Sequence, residues 1–91
     1  NNMSSIKNLK KEINNSIGEL IENIYAFEIL NPDFDLKKSE KLIDESIALF
    51  DQLIVKVNAR DKSKAKLTLG NVRKELNDEI QKINQKLNNL N

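Results

Sequence analysis

The chain contains no cysteine, no histidine and no tryptophan. Without cysteine there are no disulfides and no thiolate metal sites. Without histidine the commonest general base and the commonest metal ligand are both missing. The only glycines are Gly18 and Gly70, too far apart to form a glycine-rich phosphate loop. Proline occurs once, at Pro32, so the backbone carries a single obligatory break. Neither sign of charge dominates: 15 basic residues face 14 acidic ones, a net +1. That balance argues against a dedicated nucleic-acid or membrane-surface domain, which shows a clear basic excess. No stretch approaches the ~18 consecutive apolar residues of a membrane span. No apolar segment follows the basic residues near the N-terminus, so no signal peptide is expected and the cytoplasm is the expected location.

What is present is apolar periodicity. At 91 residues the chain reads as one domain with a modest single core. Only 4% of its residues are aromatic, so that core must be built from leucine and isoleucine. Ile6, Leu9, Ile13, Ile17, Leu20, Ile24 and Phe27 recur every three or four residues, within an arc of roughly 80° on a helix. The helix should stop near Leu30, because Pro32 disfavours helical geometry at Asn31. Asn31-Pro32-Asp33 is a turn signal, and Asp35, or else Asp33, suits the N-cap of a second helix. That helix carries a main stripe of Leu36, Ile43, Ile47, Phe50, Ile54 and Val57. A second stripe of Leu42, Ser46, Leu49 and Leu53 lies beside it, widening the apolar arc to roughly 160°. A third run, Ala65, Leu69, Val72, Leu76, Ile80, Ile83, Leu87 and Leu90, again covers only about 80°, a narrow seam. The segment from Asn58 to Ser63 is polar, and Asp61 or Ser63 suits the cap of the third helix. Nothing in it forbids a continuous helix. The closing Asn88-Asn89-Leu90-Asn91 is expected to fray.

These features predict an all-α protein, an antiparallel up-down-up three-helix bundle with helices over 4–30, 36–59 and 63–89. The alternative, should the second break fail, is a long helical hairpin that dimerises to bury its face.

Catalytic and metal chemistry find little support. The carboxylates Glu12, Glu19 and Glu22, Asp44 and Glu45, and Asp78 and Glu79 sit on three helices, but a di-iron bundle needs Glu-x-x-His motifs. Asp33-Phe34-Asp35 resembles the opening of a calcium loop only superficially, since Lys37 and Lys38 follow where further oxygen ligands are required. Turn and cap duty is the better reading. Serines and Tyr25 lack an activating histidine. The chain is therefore read as non-enzymatic, and no catalytic, cofactor or metal residue is assigned.

Two surfaces invite a functional reading. Lys56, Arg60, Lys62, Lys64 and Lys66 surround a lone Asp61, a local balance of +4, whereas the segment 33–51 carries six acidic residues against three lysines. In an up-down-up bundle these segments fall at opposite ends, so the molecule is polarised. The basic segment is a candidate contact for phosphate or an acidic partner. The plainer account is that lysines near a helix C-terminus complement its dipole; no aromatic residue accompanies them to stack on bases. The second surface is apolar. Ile21, Tyr25 and Ile29 drift off the seam of the first helix, and Leu42, Leu49 and Leu53 form the second stripe of the middle one. Part of this set is ordinary core. The apolar supply of the first two helices nevertheless exceeds what the narrow third seam can cover, which points to a protein-partner or homodimer interface. The function expected is a small interaction or structural module. The alternative is a regulatory protein that contacts nucleic acid through its second helix connection.

Overall fold

A computed structural model of the chain describes residues 2–90, with side chains from residue 5 onward. Three helices account for most of it: α1 over Asn2–Leu30, α2 over Leu36–Asn58 and α3 over Ala65–Asn88. Each packs against both of the others, giving a three-helix bundle 51 Å long and 17 by 15 Å across. The long-hairpin alternative is not what forms.

The first turn closes as its residues predict. The Asn31 backbone amide and side-chain amide both donate to the Phe27 carbonyl, at 3.0 and 2.9 Å, ending α1 at Leu30, two residues before Pro32. Asp35 is the N-cap of α2, its carboxylate accepting from the Lys37 amide at 3.0 Å. Phe34 packs edge-on against Phe27, with ring centroids 5.2 Å apart, fastening the turn to α1.

The second break is made by hydrogen bonding rather than by proline or glycine. The Ala59 amide caps α2 on the Val55 carbonyl, and the Arg60 guanidinium folds back to donate to the Val57 carbonyl at 2.8 Å. Asp61 then caps a short 3-10 turn, Lys62–Lys64, that leads into α3. The third helix thus begins at Ala65, where its apolar pattern begins and two residues later than the expected 63, and without a side-chain cap of its own. At its far end the Asn89 amide donates to the Gln85 carbonyl at 3.0 Å; Asn91 lies outside the described residues.

One continuous core runs the length of the bundle. α1 contributes Ile6, Leu9, Ile13, Ile17, Leu20 and Ile24, and α3 contributes Leu69, Val72, Leu76, Ile83 and Leu87, as their stripes predict, while Phe27, Ile80 and Leu90 of the same stripes are only partly buried against it. The middle helix corrects the reading. Its buried residues are Ser39, Leu42, Ser46, Leu49, Leu53 and Val57. The stripe taken as secondary is therefore the core, and of the presumed main stripe only Val57 is fully buried. Leu36 and Ile47 are about half exposed, while Ile43, Phe50 and Ile54 are partly covered. The reason is geometric. A helix with a 160° apolar arc has one half aimed between its two neighbours, and here that half includes two serines. Ser46 donates to the Leu42 carbonyl at 2.8 Å; Ser39 donates to the Leu36 carbonyl and to the Glu28 carboxylate. With their hydroxyls satisfied they pack as small residues.

Candidate interaction face

The polar contacts between helices are distributed unevenly, and that distribution defines the faces of the bundle. Three ion pairs cross between helices among the described residues, and all involve α3. Arg73 meets Glu12 of α1 at 2.9 Å; Glu75 meets Lys56 of α2 at 2.6 Å, and Lys86 meets Glu45 at 3.1 Å. Gln52 adds a hydrogen bond to Glu75. The groove between α1 and α3 is lined further by Ser16, Glu19, Asn23, Asn77 and Asn84. Both seams of α3 are thus edged by charged and amide side chains. Exposed pairs of this kind add little stability, but they mark surfaces suited to water.

The outer seam between α1 and α2 differs. Among the described residues the side-chain hydrogen bond across it is Ser39–Glu28. On the flank of α1 that turns away from Glu12 and Glu19 lie Ile21, Tyr25 and Ile29. On the flank of α2 that turns away from Glu45, Gln52 and Lys56 lie Leu36, Ile43, Ile47, Phe50 and Ile54. Ile21, Ile43, Phe50 and Ile54 rest partly covered against the core. Tyr25 is 50% exposed, Ile47 48% and Ile29 78%. These residues make an apolar band over two helices, with Glu22, Glu40 and Asp51 exposed among them. The exposed Leu30, Val55 and Leu67 lie outside the band, as single apolar residues commonly do.

The sequence-derived residues separate cleanly on this map. Ile21, Tyr25 and Ile29 belong to the band. Leu42, Leu49 and Leu53 do not: they are buried against α1 and α3 and offer no surface in the folded chain. Their place is taken by Leu36, Ile43, Ile47, Phe50 and Ile54, which periodicity alone makes the main stripe of α2. The signal that would have distinguished the stripes was the cross-helix charge pattern: Glu45, Gln52 and Lys56 share an edge suited to the ion-paired seam with α3.

The basic segment is only partly free. Lys56 is engaged by Glu75, and Arg60 is half-buried against the end of α2, its Nε buried without a hydrogen-bond partner. Lys62, Lys64 and Lys66 stand exposed. Asp61 accepts from the Ser63 hydroxyl at 2.8 Å and its amide at 3.0 Å. The hydroxyl first, and then the amide, hold its carboxyl below the ordinary 3.8, keeping one negative charge amid the lysines.

Charge is also sorted along the long axis. The pairs Glu28–Ser39, Glu12–Arg73 and Glu45–Lys86 set which residues share a level. Cut at the level of Ile17, Phe50 and Asp78, the half holding the second connection carries ten basic and five acidic residues, a balance of +5. The half holding the first turn carries five basic and nine acidic, a balance of −4. No helix among the described residues is long and apolar enough to cross a membrane. No protein-family profile, curated protein or solved structure matches the chain.

Proposed function

We propose that the protein is a small non-catalytic interaction module whose docking surface is the α1–α2 face. The observation that carries this reading is the asymmetry of the three seams. Two are edged by charged and amide groups, while the third is edged by isoleucines, a phenylalanine and a tyrosine that the bundle leaves partly uncovered. Apolar side chains left partly uncovered in this way favour association with another apolar face. Tyr25 suits its border, since an amphipathic ring packs on its carbon face while its hydroxyl stays wet.

The test is a paired replacement, Tyr25→Asp with Ile47→Asp. Both side chains are half exposed, so the thermal midpoint should stay within a few degrees of the parent. Affinity capture from the native host, with untagged chain included, should lose whatever the parent retains. A capture profile unchanged by the pair, with the fold intact, refutes the assignment of this face.

A second reading is contact with nucleic-acid phosphates or an acidic partner at the basic end. It is supported by the +5 half and by the outward Lys62, Lys64 and Lys66. Retardation of nonspecific DNA or RNA at low salt, abolished as salt rises, is its signature; no retardation at low salt removes it.

A further inference from the structure

The α1–α2 face carries more than its apolar band, and what borders the band says what fits on it. On α1 a second helical stripe runs beside the core stripe: Lys7, Lys11, Asn14, Gly18, Tyr25 and Ile29 follow at multiples of a helical turn. On α2 the matching stripe is Leu36, Glu40, Ile47, Asp51 and Ile54. Because α1 and α2 are antiparallel, the face is polarised end to end. Lys7, Lys10 and Lys11 mark one end; Glu22, Glu28 and Glu40 lie in the other half, interleaved with Tyr25, Ile29 and Leu36, and Ile47, Phe50 and Ile54 lie between.

We infer that the occupant of this face is a second copy of the chain, laid on it antiparallel about a two-fold axis that crosses near Gly18. This rests on the interaction-module reading above and names its partner. A two-fold interface places the same patch on both subunits, so the patch must complement itself. Run antiparallel, this one does. Lysines of each copy overlie the acidic half of the other, their stems on Tyr25 and Ile29, and Ile47, Phe50 and Ile54 of the two copies meet in the middle. Run parallel, like charges would coincide at both ends. The size also suits: a face of a bundle 51 by 17 Å offers on the order of 800 Å², the share one partner gives to a standard interface. Gly18 fits the same geometry. It is exposed in mid-helix, its φ is not positive, and a Cβ there would meet no heavy atom within 4 Å. Nothing in the single bundle calls for glycine at this position. A glycine there permits close approach of a second backbone at the axis.

Sedimentation equilibrium with charge-reversed chains tests the pairing. One chain carries Lys7→Glu and Lys11→Glu; the other carries Glu22→Lys and Glu40→Lys. All four positions are exposed, and circular dichroism verifies that each bundle folds. The parent should show twice the 10.5 kDa chain mass at high micromolar concentration. Each reversed chain alone should dissociate about tenfold or more readily, because like charges then face each other. An equimolar mixture should recover the doubled mass, since both ends become complementary. A parent that stays monomeric at millimolar concentration overturns the inference while leaving a different protein partner open on the same face. So does a mixture no tighter than its separate components. Cross-linking gives an independent check in a chain without native cysteine. A lone Gly18→Cys should form a disulfide with its own copy, and Lys7→Cys should cross-link with Ile29→Cys but not with itself. Preferential Lys7→Cys self-pairing indicates the parallel arrangement and refutes the proposal.

Discussion

Replacing Gly18 and Gly70 by alanine should make the isolated bundle markedly more stable. Both glycines lie inside helices, at Gly18 in α1 and Gly70 in α3, and neither has positive φ. At both, an added Cβ meets nothing within 4 Å, so no clash offsets the gain. Glycine in a helix interior costs about 0.8–1.0 kcal/mol against alanine, chiefly through the freedom its backbone loses on folding. The two positions lie on different helices and share no partner, so their effects should add, to about 1.6–2 kcal/mol. In a domain of this size each kcal/mol moves the thermal midpoint by roughly 4–8 °C, and the double variant should melt about 6–16 °C higher. The measurement is urea and thermal unfolding of each single variant and the pair at low micromolar concentration, where association contributes least. The urea m-value should not change, because the surface exposed on unfolding is nearly the same. A decrease in stability for either variant refutes the reasoning, since it would mean that a helix needs glycine where its geometry shows open space. The proposed dimer gives Gly18→Ala a second consequence: it should weaken self-association while strengthening the monomer, and Gly70→Ala should do only the latter.

Other consequences are more local. Leu53 is 0% exposed at the centre of the core, and Leu53→Ala should cost about 2–5 kcal/mol, read as a lower urea midpoint; the same change at the half-exposed Ile47 should cost far less. Asp35→Ala removes the cap of α2 and should cost about 1 kcal/mol, a loss that Asp35→Asn largely avoids. The depressed carboxyl of Asp61 means that its stabilising contact with Ser63 is fully present above the ordinary value of 3.8 and is lost as pH falls through its lower folded value. Carboxyl resonances followed by NMR should therefore titrate at lower pH for Asp61 than for a free aspartate. Ser63→Ala should move that midpoint upward, and an unmoved midpoint would remove the serine hydroxyl as its cause.

The seams of α1 and α3 were legible in the sequence because each is narrow, and a narrow stripe can point only one way. The first turn was legible because Asn31, Pro32 and Asp35 each have a specific backbone duty. The orientation of α2 was not. Its apolar arc is broad enough to rotate by half its width without exposing more carbon. What selects the orientation is the pairing of Glu45, Gln52 and Lys56 with residues on α3, a long-range relation invisible to periodicity. Ser39 and Ser46 deepened the ambiguity, since polar letters at core positions make the true inner stripe look the weaker. The interaction face shifted accordingly: its α1 half was anticipated at Ile21, Tyr25 and Ile29, and its α2 half was exchanged with the core. The start of α3 shifted for a local reason, because Asp61 caps a 3-10 turn that no apolar pattern records.

The sorting of charge into a +5 half and a −4 half has a consequence for handling the protein in solution. Near its isoelectric pH of about 8.1 the molecule carries no net charge, yet its two ends remain strongly and oppositely charged. Head-to-tail attraction between neighbouring molecules then persists where charge repulsion has vanished. Added salt screens that attraction over about 10 Å at 0.1 M. The protein should accordingly be least soluble in dilute buffer near this pH and should dissolve as salt is added, salting in before it salts out.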